Sequence, residues 1–485
     1  MFLEKPSGFS STTYHRQSIP IDMNTDKLLK RLPILFLAIF LFSSANLQAQ
    51  SRIWALEDCF YYAIENNIQI KQSALAVKNY EIGLTESKLS LLPNLNGDVS
   101  FSYNWGRVLD RTNYTYTNNE TNQANFGVYA NVRIFGGLQY QNQIKKSSLD
   151  FLTSKYDYDK IKDDITLLLT QAYVNILYNK ELLKVATEQV AITQEQIKRT
   201  EKLVEAGKLA MGSLLEIQAQ GAKEEIAEIN YENSLALAYL DLQQILDLQA
   251  GSDFEIDVPV LDQELQLEIL PISMIYETAL DVQPAIKSAE TTVESAYRSV
   301  AIARGAKSPV LNLQSGWNTN YSNQYRQFAI DPVTGEFYQT DVIPFGDQFA
   351  DNQSRYLGIG LSIPIFNGYQ ASSNVSRAKI AATNAEYQFE LAKNTMRKSI
   401  EQAYYDAQAA FKTFQATQKS LSSFSESYRY TEQKFNVGMA TSVDYNLAKT
   451  QLAAAESELV RARYDYIFKS KILDFYMGKP ITLNQ

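Results

Sequence analysis

The chain has 485 residues, 45% of them hydrophobic and 20% charged, with one His, one Cys and a formal net charge of -9. With only His15 and Cys59 available, Ser-His-Asp and Cys-His catalysis and Cys/His zinc sites cannot be built. An acidic chain without a basic run is also no partner for nucleic acid, which leaves carboxylate chemistry, a binding surface or a structural role.

The first element is a processing signal. Lys27, Lys30 and Arg31 precede an uncharged run from Leu32 to Phe42, followed by small and polar residues up to Gln50. That run is shorter than the roughly 20 residues a membrane-spanning helix needs, and it matches the core of a secretory leader, so export is expected. Met23 is a candidate start, and cleavage is expected after Ala49. The leader holds five basic residues (Lys5, Arg16, Lys27, Lys30, Arg31) and three acidic ones (Glu4, Asp22, Asp26), so its removal deepens the charge to -11. No His remains, and Cys59, lying within a helical pattern, reads as a buried unpaired thiol.

A helical pattern runs from Leu56 to Leu92 and stops at Pro93. Two alternating segments follow. In the first, about 94–105, Leu95, Val99, Phe101, Tyr103 and Trp105 alternate with Asn94, Asn96, Asp98, Ser100, Ser102 and Asn104. In the second, about 125–135, Phe126, Val128, Ala130, Val132 and Ile134 alternate with Asn125, Gly127, Tyr129, Asn131 and Arg133. Period two over roughly 9 to 11 residues suits a tilted transmembrane strand, and equally one face of an ordinary sheet. After Gly137 a helical pattern continues to about 206, roughly 100 Å at 1.5 Å per residue. Its apolar stripe, Ile165, Leu169, Ala172 and Ile176, steps as a coiled coil does. Gly207 breaks the pattern, and a second helix over about 212–248 returns the chain to an acidic connector, 249–270.

The whole order then recurs in 271–478, before a tail of 479–485. Ala63, Ile70-Lys71, Pro93 and Leu95 match Ala279, Ile286-Lys287, Pro309 and Leu311 at an offset of 216. Gly127, Ile134-Phe135, Gly137, Gln171-Ala172-Tyr173, Gly207 and Gln220 match Gly358, Ile365-Phe366, Gly368, Gln402-Ala403-Tyr404, Gly438 and Gln451 at an offset of 231. The difference of 15 residues falls between Trp317 and Tyr356 and predicts a longer surface loop there. Strands are expected over about 310–319 and 355–365, and helices over about 369–436 and 444–477. The helices are too long for a compact domain, so the chain is elongated. Four strands cannot close a barrel in lipid, so any membrane-embedded form must be an oligomer; two, three and four copies give 8, 12 and 16 strands, and the arithmetic does not choose.

Trp54-Ala55-Leu56-Glu57-Asp58, the Leu92-Pro93 step, the exits Ile134-Phe135-Gly136-Gly137 and Ile365-Phe366-Asn367-Gly368, and the turns Val204-Glu205-Ala206-Gly207 and Phe435-Asn436-Val437-Gly438 resemble the TolC family of outer-membrane efflux channels. The resemblance covers 52–478 and implies a mainly α fold with membrane β: a long coiled-coil α-helical barrel plus a 12-stranded transmembrane β-barrel shared by a homotrimer, with two internal repeats. It places the strands in the outer membrane of a Gram-negative cell and the helices in the periplasm. It implies passive export of small molecules or proteins with no cofactor, and outer-membrane lipid, a membrane-fusion adaptor and an inner-membrane pump of RND, ABC or MFS type as partners. Gly207, Gly438 and Val437 would form the periplasmic tip where the adaptor docks. The family's gate positions fall on Phe435, Ala440, Ser213 and Asp444, of which only Asp444 keeps the family residue. Three copies of Asp444 would make a carboxylate ring, unless Asp444 only starts a helix. Tyr103, Trp105, Trp317 and Tyr321 would supply the interfacial aromatic girdle. Two other readings stay open: a periplasmic adaptor-like helical protein, which should show one hairpin and lipoyl-like domains, and a carboxylate enzyme such as a glycoside hydrolase, which needs convergent acids in a pocket. No phosphate-binding glycine loop is present, so energy must come from a partner.

Overall fold

The computed structural model describes residues 53–109, 114–249, 254–259 and 270–482; the predicted leader and most of the connector lie outside them. The first repeat comprises β1 (Ile53–Trp54), α1 (Leu56–Asn66), α2 (Ile68–Leu89), β2 (Asn94–Leu109), β3 (Tyr116–Gly136), α3 (Gln139–Glu205) and α4 (Met211–Ile245). The connector supplies β4 (Glu255–Ile256), which pairs in parallel with β1. The second repeat comprises α5 (Ile272–Val282), α6 (Pro284–Gly305), β5 (Val310–Ser322), β6 (Arg326–Ile330), β7 (Phe337–Val342), α7 (Phe345–Asp351), β8 (Ser354–Ser362), α8 (Gln370–Asn436) and α9 (Ser442–Tyr476). The long helices of the two repeats are equal: α3 and α8 have 67 residues each, α4 and α9 have 35.

One antiparallel sheet, in the order β2-β3-β5-β8, caps this helical assembly. Each of its strands continues into a helix of the same rank. Helix α2 leads into β2, β3 leads into α3, α6 leads into β5 and β8 leads into α8. The helices pack in the matching row, α2 on α3, α3 on α6 and α6 on α8. Among the described residues both rows therefore end in unpaired edges, β2 with α2 and β8 with α8.

The apolar stripe forms the core. Ile165, Leu169 and Ile176 of α3 are buried with Leu56, Cys59 and Ala63 of α1, Leu242 of α4 and Ile256 of β4. In the second repeat Ile400, Ala403 and Ala407 of α8 are buried with Ile275 and Ala279 of α5 and Leu473 of α9. Tyr173 is 1% exposed, and its hydroxyl donates to Trp54 O at 3.2 Å and Asp257 O at 2.7 Å, clamping the β1/β4 pair onto α3. Ile481 of the tail also enters this core. Burial pushes the Cys59 thiol up to about 12, so it is packing material.

Three expectations are corrected. The helix read from Leu56 to Leu92 is two helices, broken at Asn67, whose side chain accepts from the amides of Gln69 and Ile70 and so caps α2. Gln283 breaks the second repeat at the matching position, with Pro284 opening α6. The two break residues also do the same job: Asn67 Nδ2 donates to Ile245 O at 2.8 Å and Gln283 Nε2 to Tyr476 O at 3.2 Å, each satisfying the end of its own returning helix. Second, β3 begins at Tyr116, not near 125, because its polar first half pairs with β2 in a hairpin reaching beyond the end of β5. Third, the 15-residue insertion is no plain loop; its neighbourhood holds the β6/β7 hairpin and helix α7.

Candidate functional site

Residues directly paired in a sheet share a face, so the register tests the predicted alternation. Val99, Phe126 and Thr319 are linked by pairing, as are Gly97, Val128, Trp317 and Arg355, and Leu313 joins Val132 to Ile359. The apolar members of all four strands fall on one face, and Leu95, Val99, Phe101, Leu357 and Ile359 are each more than two-thirds exposed there. The opposite face carries Asn96, Asp98, Asn125, Asn131, Gln314 and Asn318. An exposed apolar sheet face backed by a polar one is the cross-section of a barrel wall between lipid and a wet lumen. Among the described residues no helix is long and apolar enough to cross a membrane.

The four aromatics expected at the interface divide into two pairs on this apolar face. Tyr103 and Trp105 lie 5.4 Å apart on the outer part of the β2/β3 hairpin, where the Tyr103 hydroxyl donates to Glu120 Oε2 at 2.9 Å. Trp317 and Tyr321 lie on β5 beneath α7. Phe349 meets Trp317 at 6.0 Å and Phe345 meets Tyr321 at 5.6 Å, with Phe126 between them. Gln348, 2% exposed, holds α7 there by accepting from Ser322 N at 2.9 Å and donating to Ser322 O at 3.0 Å. The signal for this cap is Phe345 and Phe349 four apart in the insertion.

At the far end, α3 and α8 each finish in a Schellman turn. Gly207 has φ +71°, Gly207 N donates to Val204 O at 2.9 Å and Lys208 N to Leu203 O at 2.8 Å. Gly438 has φ +79°, with Gly438 N to Phe435 O at 3.0 Å and Met439 N to Lys434 O at 2.8 Å. A positive φ there favours glycine, because a Cβ would crowd the carbonyl. Val437, 71% exposed, is the cap residue of the second turn.

The two turns lie side by side. Arg199 Nη1 donates to Asn436 Oδ1 at 2.9 Å, and the Ser442 hydroxyl donates to Glu216. Phe435 stacks on the buried Tyr445 ring at 4.8 Å, and Tyr428 and Tyr445 share a hydroxyl hydrogen bond at 3.0 Å. Asp444 is the third residue of α9 in a capping box. Its Oδ2 accepts from Thr441 N at 3.1 Å and Thr441 Oγ1 at 2.7 Å, which holds the carboxyl below the usual range. Ser213 sits in the first turn of α4, its amide bonded to Ala210 O at 3.0 Å, and Ala440 is half-buried just past Gly438.

Sequence reasoning missed the polar seam behind these turns. Lys449 of α9 donates to Gln189 O at 3.0 Å, to the Thr193 hydroxyl and to Glu224 Oε2 at 3.0 Å, so α3, α4 and α9 meet on one ammonium. Burial pulls its pKa down and Glu224 works against that. The available signal was a lysine four residues after Tyr445, on the stripe that otherwise carries Ala448 and Ala455.

Comparison with known proteins agrees with this architecture. The family model described as outer membrane efflux protein matches residues 60–247 and 275–479, one match in each repeat. The outer membrane protein TolC of Vibrio cholerae is 23% identical over 432 residues, covering 88% of this chain and 92% of the relative. The alkaline protease secretion protein AprF of Pseudomonas aeruginosa is 22% identical over 435 residues, 87% of this chain and 84% of the relative. Among solved structures, CusC aligns with a TM-score of 0.74 at 19% identity, covering 90% of this chain and 96% of that one. The Campylobacter jejuni CmeC outer membrane channel aligns with a TM-score of 0.73 at 18% identity, covering 89% and 87%. The two matched repeats, the barrel-wall sheet and the long helical hairpins have one common explanation: the chain belongs to the outer membrane efflux protein family, whose members are outer-membrane channels complete only as trimers.

Proposed function

We propose that three copies of this chain close edge to edge, β8 with α8 of one copy against β2 with α2 of the next, into a passive exit duct. The observation that carries this is the pair of matched rows, four strands and four helices ending in the same two free edges. Both edges carry exposed apolar side chains, Leu75 and Ile82 on α2 and Ile380 and Leu391 on α8, which a neighbouring copy would cover. Three copies give 12 strands and no open edge in lipid. Paired amphipathic strands in each repeat disfavour an adaptor, and the polar wall suits conduction with no bond made or broken.

In this reading the duct serves a tripartite efflux or type I secretion system; the relatives' names include both a toluene efflux pump outer membrane protein and a protease secretion protein. Gly207, Gly438 and Val437 form the periplasmic tip where the membrane-fusion adaptor docks, with an inner-membrane pump behind it. The aperture is bounded by Phe435, Ala440, Ser213 and Asp444, and three Asp444 carboxylates favour cations. Detergent-solubilised protein should sediment as a trimer and give single-channel conductance in planar bilayers, with less cation preference in Asp444→Ala. Monomers without conductance would refute the duct, and unchanged selectivity would refute the carboxylate ring alone.

A further inference from the structure

The polar face of the sheet is mostly Asn, Gln, Ser and Thr, with Asp98, Arg133 and several glycines among them. Among its described side chains the only aromatic ones are Tyr129 and Tyr356, and both pair with the same residue, Gly316 of β5. A Cβ built on Gly316 would lie 2.6 Å from Tyr356 Cε1 and 2.9 Å from Tyr129 Cδ1, so the two rings lean over this glycine from either side. The far edge of the Tyr129 ring covers a second glycine: a Cβ on Gly127 would lie 2.6 Å from Tyr129 Cε2. A ring bracketed by two glycines on neighbouring strands lies down along the backbone and does not stand off it. One face is against the sheet and the other is turned away from it. Tyr129 is 36% exposed and Tyr356 45%. Beyond Tyr356 the wall is bare backbone, since nothing lies within 4 Å of a Cβ on Gly358 or Gly360.

We propose that Tyr129 and Tyr356 form a stacking site for planar aromatic solutes on the lumenal wall of the barrel. This rests on the duct reading above, which turns the polar face to the lumen and brings six such rings together in a trimer. Aromatic faces fixed flat on a wall bind other π-systems at little entropic cost, because their rotamers are already held. The row of the two rings is uncharged, with Asn96 on β2, and the adjoining rows hold Gln314 and Asn318 on β5 and one carboxylate, Asp98 on β2, opposite Gly127. Asp98 acts alike on any two monovalent cations, so between such solutes retention depends on the ring.

The test uses whole trimers in planar bilayers and two monovalent probes, planar ethidium and ring-free tetrabutylammonium. Ethidium should block the current of the wild-type channel for about fivefold longer per event than tetrabutylammonium. Replacing both tyrosines by phenylalanine should keep the difference. Tyr129→Leu with Tyr356→Leu should bring the ratio to about one while conductance persists, and each single leucine variant should lower it if the double variant does not assemble. Equal block of the wild type by both probes, or an ethidium excess that survives the leucine variants, would overturn the stacking site and leave the duct standing. Wild-type trimers that pass no ions would overturn both.

Discussion

Lys449 of α9 and Glu224 of α4 meet at 3.0 Å with the lysine side chain 3% exposed, an ion pair between the two repeats near the hairpin tips. It joins hairpins that have no covalent link nearer than the connector. Removing one partner leaves a charge in a site that the other no longer satisfies, and that penalty exceeds what the pair itself contributes.

Lys449→Met should therefore cost about 3 kcal/mol of stability, measured by chemical denaturation of the detergent-solubilised protein. In a Glu224→Gln background the same substitution should cost much less, because no carboxylate is stranded. Equal costs in the two backgrounds would mean that the pair is not coupled.

Asp163, on α3, supplies a pH dependence. Burial, and then the Asp159 carboxylate, push its pKa from 3.8 up to about 6, with Lys162 acting the other way. A carboxyl with a raised folded pKa favours folding while protonated, so this contribution is present at low pH and is lost as pH rises through about 6. Asp163→Asn should raise the thermal midpoint at pH 7, and the gain should shrink at pH 4. A gain of the same size at both values would contradict the assignment.

Gly438→Ala forces a Cβ into a left-handed position and should destabilise the second turn by about 1 kcal/mol. Gly438→Asn should cost less, since asparagine tolerates that conformation. Hydrogen exchange at the end of α8 should accelerate in the order wild type, Asn, Ala.

The two faces of β2 are separated by one residue. Val99→Arg places a cation on the apolar face and should cost about 2–4 kcal/mol at the bilayer midplane. Ser100→Arg, on the polar face, should be tolerated. The readout is the yield of detergent-resistant trimers from outer membranes, and equal yields would mean that the faces are assigned the wrong way round.

The repeat, the alternation of β2, β3, β5 and β8, the stripe from Ile165 to Ile176 and the turns at Gly207 and Gly438 were all legible in the amino-acid order. Each is a local pattern, set by whether side chains recur every two residues or every three to four, and by a backbone angle that favours glycine. The break at Asn67 was missed because the apolar pattern continues across it, while the cap that makes it depends on Ile245 in another helix. Lys449 and Glu224 are 225 residues apart, and the covering of Trp317 and Tyr321 by α7 depends on how a hairpin insertion folds back. Side chains so distant in the chain meet only after helix rows and strand rows have aligned, and no periodicity within one segment records which faces will then oppose. The sequence by itself determined the staves; the tertiary structure decided how the two repeats are joined, which aromatics remain bare, and that Tyr129 and Tyr356 share one glycine.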